Sequence, residues 1–134
     1  MDKKPPIPAE MVNAFVAQAH GNLEQVQTML AQTPALVNAA WDWGGGDWET
    51  ALGAAAHTGR REIALFLLEN GARMDLFAAA MLGELQIVEA MAAVSPEIVQ
   101  AKGPHGIPLL VHAQMGGEMA QPVVDFLLAQ IESM

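Results

Sequence analysis

The stretch ALGAAAHTGRREIALFLLENGA, residues 51–72, decides the fold. Its first half is rich in alanine and ends at Gly59. Its second half is amphipathic and ends at Asn70-Gly71, a good stop signal because glycine readily takes the left-handed conformation at a helix end. The reading is two short helices that reverse at a glycine. The same grammar returns in LFAAAMLGELQIVEAMAAVSPEIV, residues 76–99, around Gly83, with Ile87, Val88 and Met91 on one helix face. It recurs in AFVAQAHGNLEQVQTMLAQTPALV around Gly21 and in IPLLVHAQMGGEMAQPVVDFLLAQ around Gly116. Pivots at 21, 59, 83 and 116 are spaced by 38, 24 and 33 residues. A helix–glycine–helix unit of about 33 residues is the mark of stacked helical pairs.

Periodicity agrees. The second helices carry apolar residues at i, i+3, i+4 spacing: Val26, Met29 and Leu30; Ile63, Phe66 and Leu67; Ile87 and Met91. Such stripes bury against neighbouring helices, and one pair alone is too small to be stable, so the pairs must stack. Composition fits: of 134 residues 52% are hydrophobic but only 5% aromatic, which suits close helix packing better than a β-sandwich. One domain is expected at this length. The net charge of −9 argues against nucleic acid and against an anionic membrane surface, which select basic patches. It is compatible with a basic partner. The chain has no cysteine, so neither disulfides nor thiolate chemistry is available. MDKKPPIP lacks the apolar run of a signal peptide, no membrane span is expected, and the default location is the cytoplasm.

The repeats resemble ankyrin repeats, whose pattern is roughly T-P-L-H-x-A-A-x-x-G-H-x-x-I-V-x-L-L-L-x-x-G-A. The second unit matches best, through Thr50, Leu52, Ala55, Ala56, Gly59, Ile63, Leu67, Leu68, Gly71 and Ala72. The fourth keeps Pro108, Leu109, Ala113 and Gly116, then has three inserted residues before Pro122, which falls in the first turn of a helix. The first and third units match less closely. The resemblance implies an all-α ankyrin-type solenoid over residues 9–134, in units of about 9–40, 41–74, 75–104 and 105–134, with β-hairpin-like finger loops. Residues 1–8, charged and rich in proline, are expected to be a flexible tail.

Three departures are informative. No unit has the histidine of T-P-L-H, which in the family braces neighbouring loops; Gly53 and Leu110 stand there in the second and fourth units. The connection GARMDLF is too short for a full finger. The connection from Asn38 to Thr50 is about four residues longer than the family pattern, and WDWGGGDW, residues 41–48, lies within it. This is read as a finger that turns on its glycines. Alternation puts Trp41 and Trp43 on one face and Asp42 on the other. The indoles serve either as anchors for a partner, since tryptophan is enriched at binding hot spots, or as caps on the core. Core capping is the favoured reading for Trp48 alone.

No phosphate loop, nucleophile elbow or cysteine–histidine metal pattern occurs, so no catalytic residue, metal or cofactor is assigned. The resemblance implies a concave face whose residues precede each pivot glycine. In this chain they are His20, His57, Met81 with Leu82, and Gln114 with Met115. The expected function is a non-catalytic protein–protein interaction module. Its contact residues would be Trp41, Trp43, Trp48, His20, His57, Met81, Leu82, Lys102, His105 and Met115. The alternative is a ligand pocket or enzyme site between the finger and His20, His57 and His112. His112 replaces a small alanine of the pattern and needs a hydrogen-bond partner; it is read as a brace for the loop GPHG, residues 103–106, rather than as the partner of His105 in a reactive pair. The last helix is apolar over more than half its circumference, so it is either clasped by the chain itself or meets a second copy in a homodimer.

Overall fold

Helix pairs form where the glycines place them. The structure, a computed structural model, describes residues 3–134. Among these are eight α-helices: α1 (Ala9–Gln18), α2 (Leu23–Gln32), α3 (Ala51–His57), α4 (Arg61–Glu69), α5 (Leu76–Leu82), α6 (Leu85–Val94), α7 (Leu109–Met115) and α8 (Gln121–Glu132). The first two residues of the expected tail lie outside the described residues. The rest of it, 3–8, is irregular, but Ile7 packs against the core. Gly59 and Gly83 turn the chain in the left-handed region, at φ 67° and 80°. Gly116 does not, at φ −77°; it is glycine because a Cβ would run into the carbonyl of Met81.

Local signals start the helices. The side chains of Asn22, Thr50 and Asp75 each accept from the backbone N–H three residues on, capping α2, α3 and α5. Pro122 lies in the first turn of α8, as its fixed φ favours.

The first helices of the pairs form a row, α1 on α3, α3 on α5 and α5 on α7. Alanine makes this close approach possible, and Ala51, Ala54, Ala55, Ala56, Ala78, Ala79 and Ala80 are all fully covered. Second helices lie alongside, each on its own partner. Two cores result, one around Phe15, Val26, Leu36, Leu52 and Leu67, the other around Val88, Leu109, Val123 and Leu127. Burying each such side chain contributes about 1.5–3 kcal/mol. Within α8, Val123, Val124 and Leu127 face this second core, so most of the broad apolar surface is clasped internally; Leu128 is the large apolar residue of α8 left exposed.

Two expectations are corrected. Met91 is not on the buried stripe of α6: Val88 and Ala92 are, and Met91 faces outward beside Val94. Met81 and Leu82 are not available to a partner, being 0% and 4% exposed. Helix α5 is flanked by α3 and α7, and the inserted residues form a 3-10 turn, Gly117–Ala120, across its end. There Met119 lies against Gly83 and Gly116 against Met81.

The long connection is a true hairpin. Strand β1 (Ala40–Asp42) pairs antiparallel with β2 (Trp48–Thr50). Glycines 44, 45 and 46 all have positive φ, and Oδ1 of Asp42 accepts from the N–H groups of Gly44 and Gly46. The short connection after α4 forms no strand. Loop-to-loop bracing falls to Asn38, which donates to the Gly71 carbonyl and accepts from the Arg73 N–H.

Candidate functional site

Strand alternation builds the site. In β2 the neighbours Trp48 and Glu49 point to opposite faces: Trp48 is 61% exposed and Glu49 only 1%. A carboxylate is thus carried inward by the hairpin. Gly53 flanks it. A Cβ there would already touch Glu49 Cγ and Pro104 Cγ, at 3.5 and 3.6 Å, so a longer side chain would displace them.

Three imidazoles converge on this carboxylate from three parts of the chain. His20 follows α1, and its Nε2 is 3.1 Å from Oε1 of Glu49. His57 ends α3, and its Nε2 is 3.0 Å from Oε2. His105 comes from the turn before α7, with Nε2 3.3 Å from Oε2. The ring centroids of His57 lie 5.0 Å from those of His20 and 5.2 Å from those of His105. Trp43 stands beside His20 and His105, and its indole N–H donates to Oε1 at 2.9 Å. Burial by itself would raise the Glu49 carboxyl, but His57, the charge of His20 and the Trp43 N–H together hold it below its ordinary value.

The outer sides of two rings are fixed as well. Nδ1 of His20 lies 3.1 Å from the carbonyls of Val16 and Ala17. Nδ1 of His105 lies 2.9 Å from Oδ2 of Asp47, and its backbone N–H donates to Oδ1 at 2.7 Å. Those two bonds hold His105 at φ 62°, a conformation costly for any residue with a Cβ. Four donor atoms, one each from His20, Glu49, His57 and His105, lie within 4.8 Å of one another, close enough to share a metal ion.

The structure therefore joins three expected residues, His20, His57 and His105, around one that was not expected. It also sets two carboxylates, Asp47 and Glu49, beside His105. The signal for Glu49 was its position between Trp48 and Thr50 on a returning strand. His112 is not part of this group. It is fully buried, with Nδ1 2.9 Å from the Pro108 carbonyl and its ring against Phe77 and the Gly103 backbone. It thus touches one end of the loop it was expected to brace. Between the finger and His20, His57 and His105 sits the buried Glu49 side chain.

The tryptophans divide differently from expectation. Trp48, the expected core cap, is the most exposed of the three; Trp41 packs against the first core, and Trp43 stands over the histidines. Trp41 and Trp48 line a shallow groove of about 260 Å³ with Ala9, Val12, Ala40 and Asp42. Lys102 and Met115 are exposed, Lys102 within a small bridge to Pro108. Among the described residues no helix is long and apolar enough to cross a membrane. No protein-family model matches the chain, and no curated protein is similar enough to it to count as a relative.

Proposed function

We propose that this chain is an ankyrin-type repeat protein acting as a non-catalytic interaction module, and that its finger is the principal contact for a protein partner. One observation carries the reading. Trp48 is displayed on a hairpin that is clamped from its opposite face by Glu49. A two-stranded hairpin in water is marginally stable by itself. Clamping removes the ordering cost that a free loop would meet on binding, which is the advantage of preorganisation. An exposed tryptophan over a groove floored by Trp41 supplies the apolar anchor typical of a hot spot. Asp42 at its edge and the net charge of −9 favour a basic partner. In this reading the contact is the groove beside Trp48; His20, His57 and His105 gather about Glu49 on the other face of the hairpin, and Met81 and Leu82 are covered.

The test is affinity capture with two baits, wild type and Trp48→Ala, followed by mass spectrometry. A protein enriched by the first and lost by the second, with both baits equally stable, supports the reading. Identical recovery by the two baits contradicts it.

A further inference from the structure

The histidine cluster contains a chemical conflict that the partner-binding reading does not use. Backbone carbonyls and carboxylates only accept hydrogen bonds. Nδ1 of His20 faces two carbonyls and Nδ1 of His105 faces a carboxylate, so each carries the ring proton. In the neutral ring Nε2 then offers a lone pair. Both Nε2 atoms nonetheless point at Glu49, itself an acceptor, at 3.1 and 3.3 Å. The third imidazole adds to the conflict. Nε2 of His57 and Oε2 of Glu49 are both buried without a hydrogen-bond partner, although only 3.0 Å apart. With protons alone, His57 could turn its single ring proton toward Oε2, but His20 and His105 would each need a second proton beside the same carboxylate. A single cation bonded to all four groups resolves it at once.

We propose that Nε2 of His20, His57 and His105, with Oε2 of Glu49, form a four-coordinate site for a divalent transition-metal ion, zinc first among them. The spacing fits. Zinc bonds of about 2.0–2.2 Å to nitrogen and oxygen, in a tetrahedron, set donor atoms about 3.3–3.5 Å apart. Oε2 of Glu49 lies 3.0 and 3.3 Å from Nε2 of His57 and His105, Nε2 of His20 lies 3.1 Å from the other oxygen, Oε1, and one donor atom from each of the four residues falls within 4.8 Å of the rest. The donors fit too: three imidazoles and one carboxylate suit zinc and its first-row neighbours, whereas calcium and magnesium require oxygen. The outer partners are those a metal centre uses. Ligating histidines donate their other N–H to a carbonyl or a carboxylate, as His20 does to Val16 and Ala17 and His105 to Asp47. Ligating carboxylates are themselves hydrogen-bonded, as Oε1 is by Trp43.

Four protein ligands close a tetrahedral shell, which is the structural rather than the catalytic type of zinc site. Its ligands come from the end of α1, from β2, from the end of α3 and from the turn before α7. The ion would therefore fasten the finger to three of the four helix pairs. Asp47 is a positioning residue: it touches no metal but fixes the ring of His105.

The test uses protein without a histidine tag, stripped with chelator and titrated with zinc and with cobalt(II). The expected result is one ion per chain, an intense visible cobalt spectrum of the tetrahedral kind, and imidazole scattering in the X-ray absorption of the zinc form. Glu49→Gln and His57→Gln should abolish stoichiometric uptake, Asp47→Asn should weaken it about 10–100-fold, and His112→Gln should leave it intact. If a ligand variant fails to fold, the cobalt spectrum of the wild type decides alone. Absence of stoichiometric uptake by the wild type, an octahedral cobalt spectrum, or equal uptake by the Glu49 and His57 variants would overturn the proposal. Trp48→Ala should bind the ion normally, so loss of the partner and loss of the metal are separable.

Discussion

The indole N–H of Trp43 donates to Oε1 of Glu49 at 2.9 Å, so one arm of the hairpin holds the carboxylate that the other arm sends inward. Trp43→Phe keeps most of the ring and removes the donor. The expected loss is about 1.5 kcal/mol, the lower end for a hydrogen bond to a charged group. Urea denaturation of the two proteins measures it.

The two other tryptophans should behave oppositely. Trp48→Ala removes an exposed ring and should change stability by less than about 0.5 kcal/mol. Trp41→Ala removes a ring packed on the first core and should cost about 2 kcal/mol, below the range for a wholly buried tryptophan. Equal and large losses in both would mean that the whole finger is structural.

Gly116→Ala should be among the most damaging single-methyl changes in the chain. The added carbon would overlap the Met81 carbonyl and crowd the Ala120 side chain, where the inserted turn crosses the end of α5. Backbone cannot move aside as a flexible side chain can, so the expected cost is about 3 kcal/mol or more. At Gly71, where a Cβ meets nothing, alanine should be strained by its φ of 100° alone and should cost less.

Acid should weaken the fold through His112. Burial holds its imidazole below the ordinary value, against the opposing pull of the Pro108 carbonyl, and the charge of His57 lowers it further; Asp75 and Glu49 raise it. Unfolded, the ring takes a proton near its ordinary value of 6.5; folded, it resists. The unfolded state therefore binds more protons below that pH, and stability falls as the pH falls through it. Asp75 acts in the opposite sense. Burial raises its carboxyl, against hydrogen bonds from the Ala78 and Phe77 N–H groups and the charge of His112. The folded state then binds the extra proton, adding stability as the pH falls toward the ordinary value of 3.8. Urea midpoints from pH 7 to 5 should fall less steeply in His112→Phe than in wild type.

Much of the helical arrangement is legible in the chain because its causes are local. Glycine pivots, alanine-rich first helices and i, i+4 stripes each act within a few residues. The hairpin is legible for the same reason, through its three glycines. The centre on Glu49 is only half legible. His20 and His57 share a position relative to their pivots, but the approach of His105 to Glu49 spans 56 residues and depends on how the last helix pair seats. Glu49 itself was readable from strand alternation, once Trp48 is placed outward instead of on the core. Met81 and Leu82 occupy the same register as the histidines. They are covered because α5 packs between α3 and α7 and both side chains join the first core, a tertiary fact that no repeat pattern contains.

A buried carboxylate, Glu49, clamps the finger. Amide hydrogen exchange across residues 40–50, in wild type and in Glu49→Gln, tests it most directly. The N–H of Trp43, bonded to the Asp47 carbonyl, and the N–H of Asp47, bonded to Gly44, are the reporters. Slow exchange at both in the wild type is the predicted result, with near-complete loss of that protection in the variant while α5 to α8 stay protected. Unchanged protection of the hairpin in Glu49→Gln would show that the carboxylate does not clamp it.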